Sequence, residues 1–351
     1  MLSPMDDYFI HQVDAALNEP PTTDPRFFES LYFAIHEPNG AATLIVRLQT
    51  YPNMGVMDAH VIGVLGQRQY NLRLSRVIRN DREVTRIGPL TLEITEPMKR
   101  WRLALEDASA SCTFDLEFAA RMPPFDGGTF DAGLALQERH FTQSGRCKGW
   151  FRIGDSVFRN DNFLAHRDRS WGVRGPLVGA APAAARSFDF HLWVPVQFED
   201  CCIFFTAQED ASGRLTKLDG ALRWEGETDA IAIKDVKHDI TFQAGSRRMQ
   251  HATLTLTLEN AEKIEMTASH LGDAFLSGAG AYAFPPRGTY RGDLVVEGEV
   301  WDFSDPVVAE AFRNMNSDQF AEYRWGDRHG YGIFEFFIAE SQRYGIAPPE
   351  E

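Results

Sequence analysis

The sequence predicts an all-β protein of two antiparallel β-barrels that lie side by side, with a few short helices. Apolar and polar residues alternate with period two in both halves of the chain, as in LTLEIT (90–95), ATLTLTLE (252–259) and DLVVEGEVWDF (293–303). Such alternation is typical of strands with one buried face. Turn residues recur between these runs and few helical patterns separate them, which favours meandering sheets closed into barrels.

The domain organisation follows from the most linker-like stretch inside the chain, GPLVGAAPAAARS (175–187), which is rich in small residues and proline. This stretch divides the chain into halves that each have the size of one closed antiparallel barrel. We therefore predict an N-terminal arm over 1–25, one barrel over 26–176 and a second barrel over 187–345.

Two segments have helical patterns. DDYFIHQVDAALN (6–18) lies in the predicted arm, and PVVAEAFRNMNS (306–317) lies in the second half. The second segment follows Asp305, a residue type that favours the N-cap, and begins with Pro306, which suits the first helical position.

Composition and charge limit the partners that we expect. With 44% hydrophobic residues among 351, the chain can bury a large core. Its net charge of −15 argues against nucleic acid and anionic membrane surfaces, because an acidic surface is repelled by both. No apolar run is long enough for a membrane span and no secretory signal is found, so we expect a cytoplasmic protein. The sequence is compatible with a homo-oligomer.

Several signatures of known enzyme classes are absent, namely GxGxxG, GxxxxGK[ST], HExxH, GxSxG and CxxC. Their absence argues against dinucleotide oxidoreductases, P-loop enzymes, zincins and α/β-hydrolases. The four cysteines show no metal-type spacing and are expected to be reduced thiols of the core. We therefore expect neither a metal nor an organic cofactor.

The densest cluster of ionisable residues is FLAHRDRSWGVRG (163–175). On a strand, His166, Asp168 and Ser170 share one face, while the intervening arginines share the other face with Trp171. If the first face lines the interior of a barrel, desolvation raises the pKa of Asp168 and lets it act as an acid. The alternative, which spacing alone favours, makes Asp168 the ion-pair partner of an arginine and Trp171 a core residue.

A second cluster, EYRWGDRHGYGIFEFF (322–337), lies near the end of the chain. Gly330 and Gly332 flank Tyr331, which predicts a bulge or a close approach of backbones on the last strand. We expect the strand to bend there at the rim of a pocket. Glu335 is a candidate polar group of that pocket, although an edge strand with solvated charges fits the pattern better.

The segment HRDRSWGVRG (166–175) resembles the two-domain, lipocalin-like proteins related to carotenoid 1,2-hydratase, and more narrowly a bacterial branch of largely unknown function. The resemblance spans most of the chain, and its R-D-x-S-W-G core is its most specific part. It also rests on YPNMGVMDAH (51–60), IGPLTLEITEPMKRWRLALED (87–107), ERHFTQSGRCKG (138–149), YRGDLVVEGEVWDF (290–303) and RHGYGIFEFF (328–337).

The resemblance implies two lipocalin-like barrels with a ligand cavity in or between them. Relatives include hydratases and cyclases that handle large apolar substrates. Asp168 and Trp171 match the carboxylate and the tryptophan of the family's central motif. Arg169 stands where this branch usually has histidine, which puts a role of that side chain in question.

These observations lead us to expect a cofactor-independent acid–base enzyme that hydrates, dehydrates or cyclises an isoprenoid-like or polycyclic small molecule. Asp168 would donate the proton, and His166 would orient it or return the proton. The substrate-binding candidates are Trp171, Tyr331, Arg174 and Glu335. The two aromatic rings among them would stabilise a cationic intermediate.

The alternative function is a non-catalytic carrier of a hydrophobic ligand. A carrier needs the cavity but no perturbed acid. The feature that discriminates between the two is whether Asp168 faces the cavity or pairs with an arginine in the wall.

Overall fold

The computed structural model describes residues 20–79, 81–107, 110–131, 137–173 and 188–347, with the side chains of 128–131, 137 and 280 left aside. Strand makes up 64% of the structure and helix 4%, which confirms the all-β prediction. The predicted helix over 6–18 and the predicted linker over 175–187 lie outside the described residues.

The first sheet contains 12 strands and curves into a nearly closed barrel. In space its strands follow the order β18-β4-β3-β2-β1-β11-β10-β8-β7-β6-β5, with β9 paired to β10. Their bounds are β1 (Phe27–His36), β2 (Ala42–Tyr51), β3 (Val56–Leu65), β4 (Arg68–Val77), β5 (Arg86–Ile87), β6 (Leu90–Glu96), β7 (Arg100–Leu105), β8 (Cys112–Ala120), β9 (Phe125–Asp131), β10 (Gln137–Ile153), β11 (Ser156–Val173) and β18 (Leu294–Asp302).

The second sheet closes into an eight-stranded barrel, because its last strand returns to pair with its first. Strands that follow one another along the chain within this barrel also lie next to each other in space, as in a simple meander. The strands are β12 (Phe190–Phe198), β13 (Cys201–Glu209), β14 (Leu215–Trp224), β15 (Ile231–Phe242), β16 (Met249–Leu258), β17 (Lys263–Ala274), β19 (Asp318–Trp325) and β20 (Arg328–Ile338).

The interiors of both barrels are hydrophobic cores. In β1, Leu31, Phe33 and Ile35 point into the first barrel, and the residues between them point outward. Tyr32 and Ala34 therefore pack against the second barrel. The cluster between the barrels also contains Ile45, Ile62, Trp193, Phe204, Phe320 and Ile333. Burial of this apolar surface holds the two barrels together.

One strand departs from the order of the chain. β18 lies within the predicted C-terminal barrel (187–345) but pairs with β4 at the edge of the first sheet. Trp301 of β18 is fully buried beside Phe275 and Phe312, and these aromatic contacts hold the strand in its place. The predicted domain boundaries stay a prediction, with 294–302 located in the sheet of the other half.

The predicted helix near residue 306 is present as α1 (Pro306–Phe312) and is shorter than the predicted range. As predicted, Asp305 caps it, because its carboxylate accepts a hydrogen bond from the Val307 backbone N at 2.8 Å. Within the described residues α1 is the one α-helix.

Gly330 and Gly332 allow β20 to approach β12 closely, which was one of the two alternatives predicted for them. A Cβ atom at Gly332 would lie 2.0 Å from the Pro195 carbonyl oxygen, and one at Gly330 would lie 2.7 Å from Phe198 Cδ1. The register of β20 against β19 is unbroken, so no bulge occurs at the two glycines. Neither glycine lines the two cavities described below.

The change Gly332→Ala should therefore lower the free energy of unfolding by about 1–3 kcal/mol, because the opposing backbone cannot yield without breaking strand pairing. Gly272→Ala in β17 is the matched control, since nothing lies within 4 Å of its Cβ position. It should change the free energy of unfolding by less than about 0.5 kcal/mol. Urea denaturation measures both, and equal stability of the two variants would contradict the close approach.

Candidate active site

A cavity of about 230 Å³ lies between the two barrels. We call it the interbarrel cavity. Its wall combines outward-facing side chains of β1, β2, β10 and β11 with those of β12, β13 and β20. Among them are the carboxyl groups of Glu138, Asp168 and Glu335, the guanidinium groups of Arg47 and Arg287, and the aromatic rings of Tyr32 and Trp193.

Strand register brings these side chains together. Tyr32 of β1 is opposite Asp168 of β11 on one side and Arg47 of β2 on the other. In the second barrel, Trp193 of β12 is opposite Glu335 of β20. Residues directly opposite each other on antiparallel strands project to the same face of a sheet. Each barrel therefore contributes its own polar cluster to the shared cavity.

A pair of carboxyl groups forms part of the second barrel's wall. Asp318 of β19 is opposite Glu335 and is only 1% exposed. Its carboxyl group is hydrogen-bonded to that of Glu335, and Tyr32 of the first barrel donates its hydroxyl to Asp318 Oδ2 at 2.5 Å. Two carboxyl groups form a hydrogen bond with each other only if one of them carries a proton. The two carboxyl groups of the pair therefore share one proton.

Burial raises the pKa of Asp318 to about 6, against the opposing effects of the Tyr32 hydrogen bond, the Arg47 charge and the Glu335 hydrogen bond. Burial also raises the pKa of Tyr32 well above its usual value, and the charge of Asp318 adds to that effect. Tyr32 thus remains a hydrogen-bond donor around neutral pH. The carboxyl pair exchanges a proton in the pH range that suits a general acid.

Asp168 lines the interbarrel cavity and accepts a hydrogen bond from Thr142 Oγ1 of β10 at 3.2 Å. The predicted alternation along β11 is confirmed, since Ser170 lines the same cavity. The interior of the first barrel instead receives Arg167, whose guanidinium carbon lies 5.8 Å from the Trp101 ring. The alternative in which Asp168 faces a barrel interior does not hold, because apolar residues fill the interior of the first barrel and Asp168 points outward, toward the second barrel.

The two arginines beside Asp168 have other partners. Arg167 donates from Nε to Gln143 Oε1 at 2.7 Å, and Arg169 forms an ion pair with Glu29. They project from the opposite face of β11.

His166 was predicted to assist Asp168, but it lines neither cavity. It is fully buried, with Nδ1 at 3.3 Å from Ser144 Oγ and its ring stacked on His36 at a centroid distance of 6.1 Å. Burial lowers the pKa of His166 well below its usual value. The neutral ring is a packing element of the layer between the barrels.

The predicted substrate-binding residues are dispersed. Trp171 lies on the opposite face of β11 from Asp168, 6.5 Å from the Phe141 ring. Tyr331 is half-buried opposite Gln197, and neither aromatic residue lines a described cavity. Arg174 lies outside the described residues. Of the four candidates, the structure brings Glu335 into the cavity of Asp168.

Sequence reasoning missed Tyr32, Arg47, Trp193 and Asp318. Tyr32 and Asp318 are separated by 286 residues, so no local spacing indicates their hydrogen bond. One signal was available: Asp318 opens a strand that contains Phe320, Ala321 and Tyr323, and a carboxylate on a buried strand needs a partner.

A second cavity of about 360 Å³ adjoins the first and shares Arg47, Leu276 and Arg287 with it. We call it the basic cavity. It lies between the outward face of β2, β3 and β4 and the segment 276–291, which we call the roof. Five arginines line it, namely Arg26, Arg47, Arg73, Arg287 and Arg291.

Two structural observations concern other kinds of site. Within the described parts of the chain, no three or more His, Cys, Asp or Glu side chains are grouped so as to hold a metal ion. Among the same residues, no helix has the length and apolar character needed to cross a membrane.

Three solved structures are similar to this chain. A protein from Nitrosomonas europaea, assigned provisionally as AttH, is 12% identical, with 93% of this chain and 96% of that chain covered and a TM-score of 0.55. Kievitone hydratase from Nectria haematococca is 10% identical over 92% of each chain, with a TM-score of 0.49. CghA with Sch210972 is 11% identical, covering 90% of this chain and 89% of that chain, with a TM-score of 0.47.

At these identities the likeness concerns the fold, and it is the first of the three that supports it. A comparison with curated proteins gave no match. The prediction of a two-domain lipocalin-like family whose function is unknown is confirmed. The sequence model of a family of unknown function, DUF8625, matches residues 2–347, and the chain belongs to that family.

Proposed function

We propose that this protein is a cofactor-independent acid–base enzyme that adds water to, removes water from or cyclises a hydrophobic small molecule in the interbarrel cavity. The observation that carries the proposal is that Asp168 and Glu335, contributed by different barrels, line one cavity of about 230 Å³. Two carboxyl groups with different environments in one cavity are the usual arrangement for an acid and a base.

Glu335 is the proton donor in this proposal. It faces the cavity, whereas Asp318 lies behind it and is almost completely buried. When Glu335 releases its proton to the substrate, the negative charge stays on the carboxyl pair. The Tyr32 hydroxyl and the Arg47 charge stabilise that charge. The acid is thus Glu335, where the sequence had indicated Asp168.

Asp168 is the proton acceptor. The hydrogen bond from Thr142 fixes the orientation of its carboxylate. In hydration, Glu335 protonates one alkene carbon and Asp168 takes a proton from the water whose oxygen bonds to the other carbon. Dehydration is the reverse. In cyclisation, Asp168 removes the proton whose loss forms the final double bond.

Aromatic side chains next to the acid suit a cationic intermediate. The rings of Tyr32 and Trp193 meet edge to face, with centroids 6.3 Å apart, and both line the cavity. A ring face attracts a positive charge by about 0.5–2 kcal/mol, with the larger values in dry sites. Leu276 adds apolar surface to the same wall.

Untargeted mass spectrometry tests this function with no substrate chosen in advance. The wild-type protein and the double variant Asp168→Asn/Glu335→Gln are incubated with an apolar metabolite extract in ¹⁸O-labelled water. An enzyme of the proposed kind consumes a metabolite in the wild-type sample alone and yields a product that is hydrated with ¹⁸O, dehydrated or isomeric. Metabolites that co-purify with the wild type but remain chemically unchanged would instead identify a carrier.

A further inference from the structure

The basic cavity has an unusual balance of charge for an acidic protein. Its wall contains five arginines and one carboxylate, Asp58, whereas the whole chain carries a net charge of −15. Arg47 and Arg287 lie where this cavity meets the interbarrel cavity, because both line both cavities.

Ion pairs with carboxylates outside the cavity lining hold three of the arginines in position. Arg26 binds Asp24 at 2.7 Å, Arg73 binds Glu299 at 3.0 Å and Arg291 binds Glu297 at 2.5 Å. Arg73 also lies over the Phe284 ring of the roof at 4.6 Å. Its Nε is buried and has no hydrogen-bond partner among the described residues.

The single carboxylate of the wall is engaged by the roof. Asp58 Oδ2 accepts a hydrogen bond from the Gly288 backbone N at 2.8 Å. Gly288 has a φ of +71°, and a Cβ there would lie 2.9 Å from Tyr51 Cγ, so only glycine fits this contact. The contact anchors the roof to the first barrel and fixes the backbone beside Arg287.

The positive field of the cavity is evident at His60 in its wall. Burial, together with the smaller effects of the Arg73, Arg47 and Arg287 charges, lowers the pKa of His60 to about 3, against the opposing effect of its hydrogen bond with Asn71. The imidazole therefore stays neutral at physiological pH, and the arginines determine the sign of the charge around it.

We propose that the basic cavity binds an oxyanion of the substrate, a carboxylate or a phosphate, while the apolar part of the molecule extends into the interbarrel cavity. The substrate class is thus an amphiphilic acid or phosphate ester. The inference takes the reaction from the proposed function, but the binding preference stands on the basic cavity alone. Guanidinium groups match the geometry of both oxyanions, and a cationic headgroup is repelled.

Isothermal titration calorimetry with three probes of similar shape tests the inference. The probes are 2-naphthoate, 2-naphthyl phosphate and 2-naphthylmethanol, which is neutral. The proteins are the wild type, Arg287→Met and the control Arg214→Met, an arginine of the second barrel that is 76% exposed. We expect at least one anionic probe to bind about tenfold or more tightly than the neutral probe. The tighter anion identifies which oxyanion the cavity accepts.

Arg287→Met should weaken binding of that anion about tenfold and leave the neutral probe unchanged, whereas Arg214→Met should change neither. Equal binding of the neutral and anionic probes, no binding of either anion, or an unaffected Arg287→Met protein would overturn the inference. Anion-selective binding without any turnover would refute the proposed function and leave the binding site intact. Turnover of neutral metabolites that Arg287→Met does not affect would refute the inference alone.

Discussion

Replacing Glu335 by glutamine is expected to lower the turnover number by about 10²–10⁴-fold, the range that positioned general acids contribute. Glutamine keeps the shape of the side chain and can still donate a hydrogen bond to Asp318, but it has no acidic proton to transfer. Because Glu335 is half-buried at the surface of the cavity, the change should leave the fold and the KM for the substrate nearly unaltered.

Steady-state kinetics on the substrate found by metabolite profiling measures this effect. Glu322→Gln on the adjacent strand β19 is the control, since Glu322 pairs with Arg324 and His329 and lines neither cavity. A Glu335→Gln enzyme with wild-type turnover would remove the acid from the mechanism. A rise in KM with an unchanged turnover number would make Glu335 a binding residue only.

Asp318→Asn should produce the second large effect, a gain in stability that grows with pH. The pKa of Asp318 is about 6 in the folded protein against 3.8 as its ordinary value. A raised pKa means that its contribution to the free energy of unfolding is fully present below pH 3.8 and is lost as the pH rises through about 6. A shift of about two units corresponds to about 3 kcal/mol.

Asparagine keeps the shape and the acceptor oxygen for Tyr32, and it cannot ionise. The variant should therefore match the wild type near pH 4 and exceed its free energy of unfolding by about 3 kcal/mol at pH 8. The turnover number should fall at the same time, because asparagine cannot share a proton with Glu335. The carboxyl pair would then lower the free energy of unfolding in the wild-type protein while it supports turnover.

Urea denaturation across this pH range checks the prediction. Asp200→Asn gives a control of opposite sign, because the Arg328 hydrogen bond lowers the pKa of Asp200 at the surface. Its stabilising contribution is present at neutral pH and is lost on acidification, so that variant should be less stable than the wild type above pH 4. A stability difference for Asp318→Asn that does not vary with pH would show that its carboxyl group is not desolvated.

The sequence was informative where structure is local. Period-two alternation along 163–173 placed Asp168 and Ser170 on one face, and both line the interbarrel cavity. The Asp305 cap was likewise predicted from residue type and neighbours, and the close approach at Gly332 was one of the two alternatives predicted there. Such features depend on backbone geometry within a few residues.

Features that depend on the packing of distant segments could not be predicted from the sequence. The alternation that separates the two faces of β11 does not say which face lies inside the barrel, and in the structure that face carries Arg167. The hydrogen bond from Tyr32 to Asp318 joins strands of different barrels. The placement of β18 in the first sheet depends on aromatic packing around Trp301. His166 was selected for its residue type, but burial makes it a neutral packing residue.

The proposed mechanism depends above all on a proton that Asp318 and Glu335 share, and infrared difference spectroscopy observes such a proton directly. The carbonyl stretch of a protonated carboxylic acid is distinct from the stretches of carboxylates and amides. Because the pKa of Asp318 is about 6, the wild-type protein should show this band at about pH 5 and lose it as the pH rises through about 6. The part of the band that disappears around pH 6 should be missing from Asp318→Asn, in which Glu335 has no acidic neighbour, and unchanged in the surface control Asp200→Asn. A wild-type spectrum without the band at about pH 5, or a band that persists unchanged in Asp318→Asn, would contradict the mechanism.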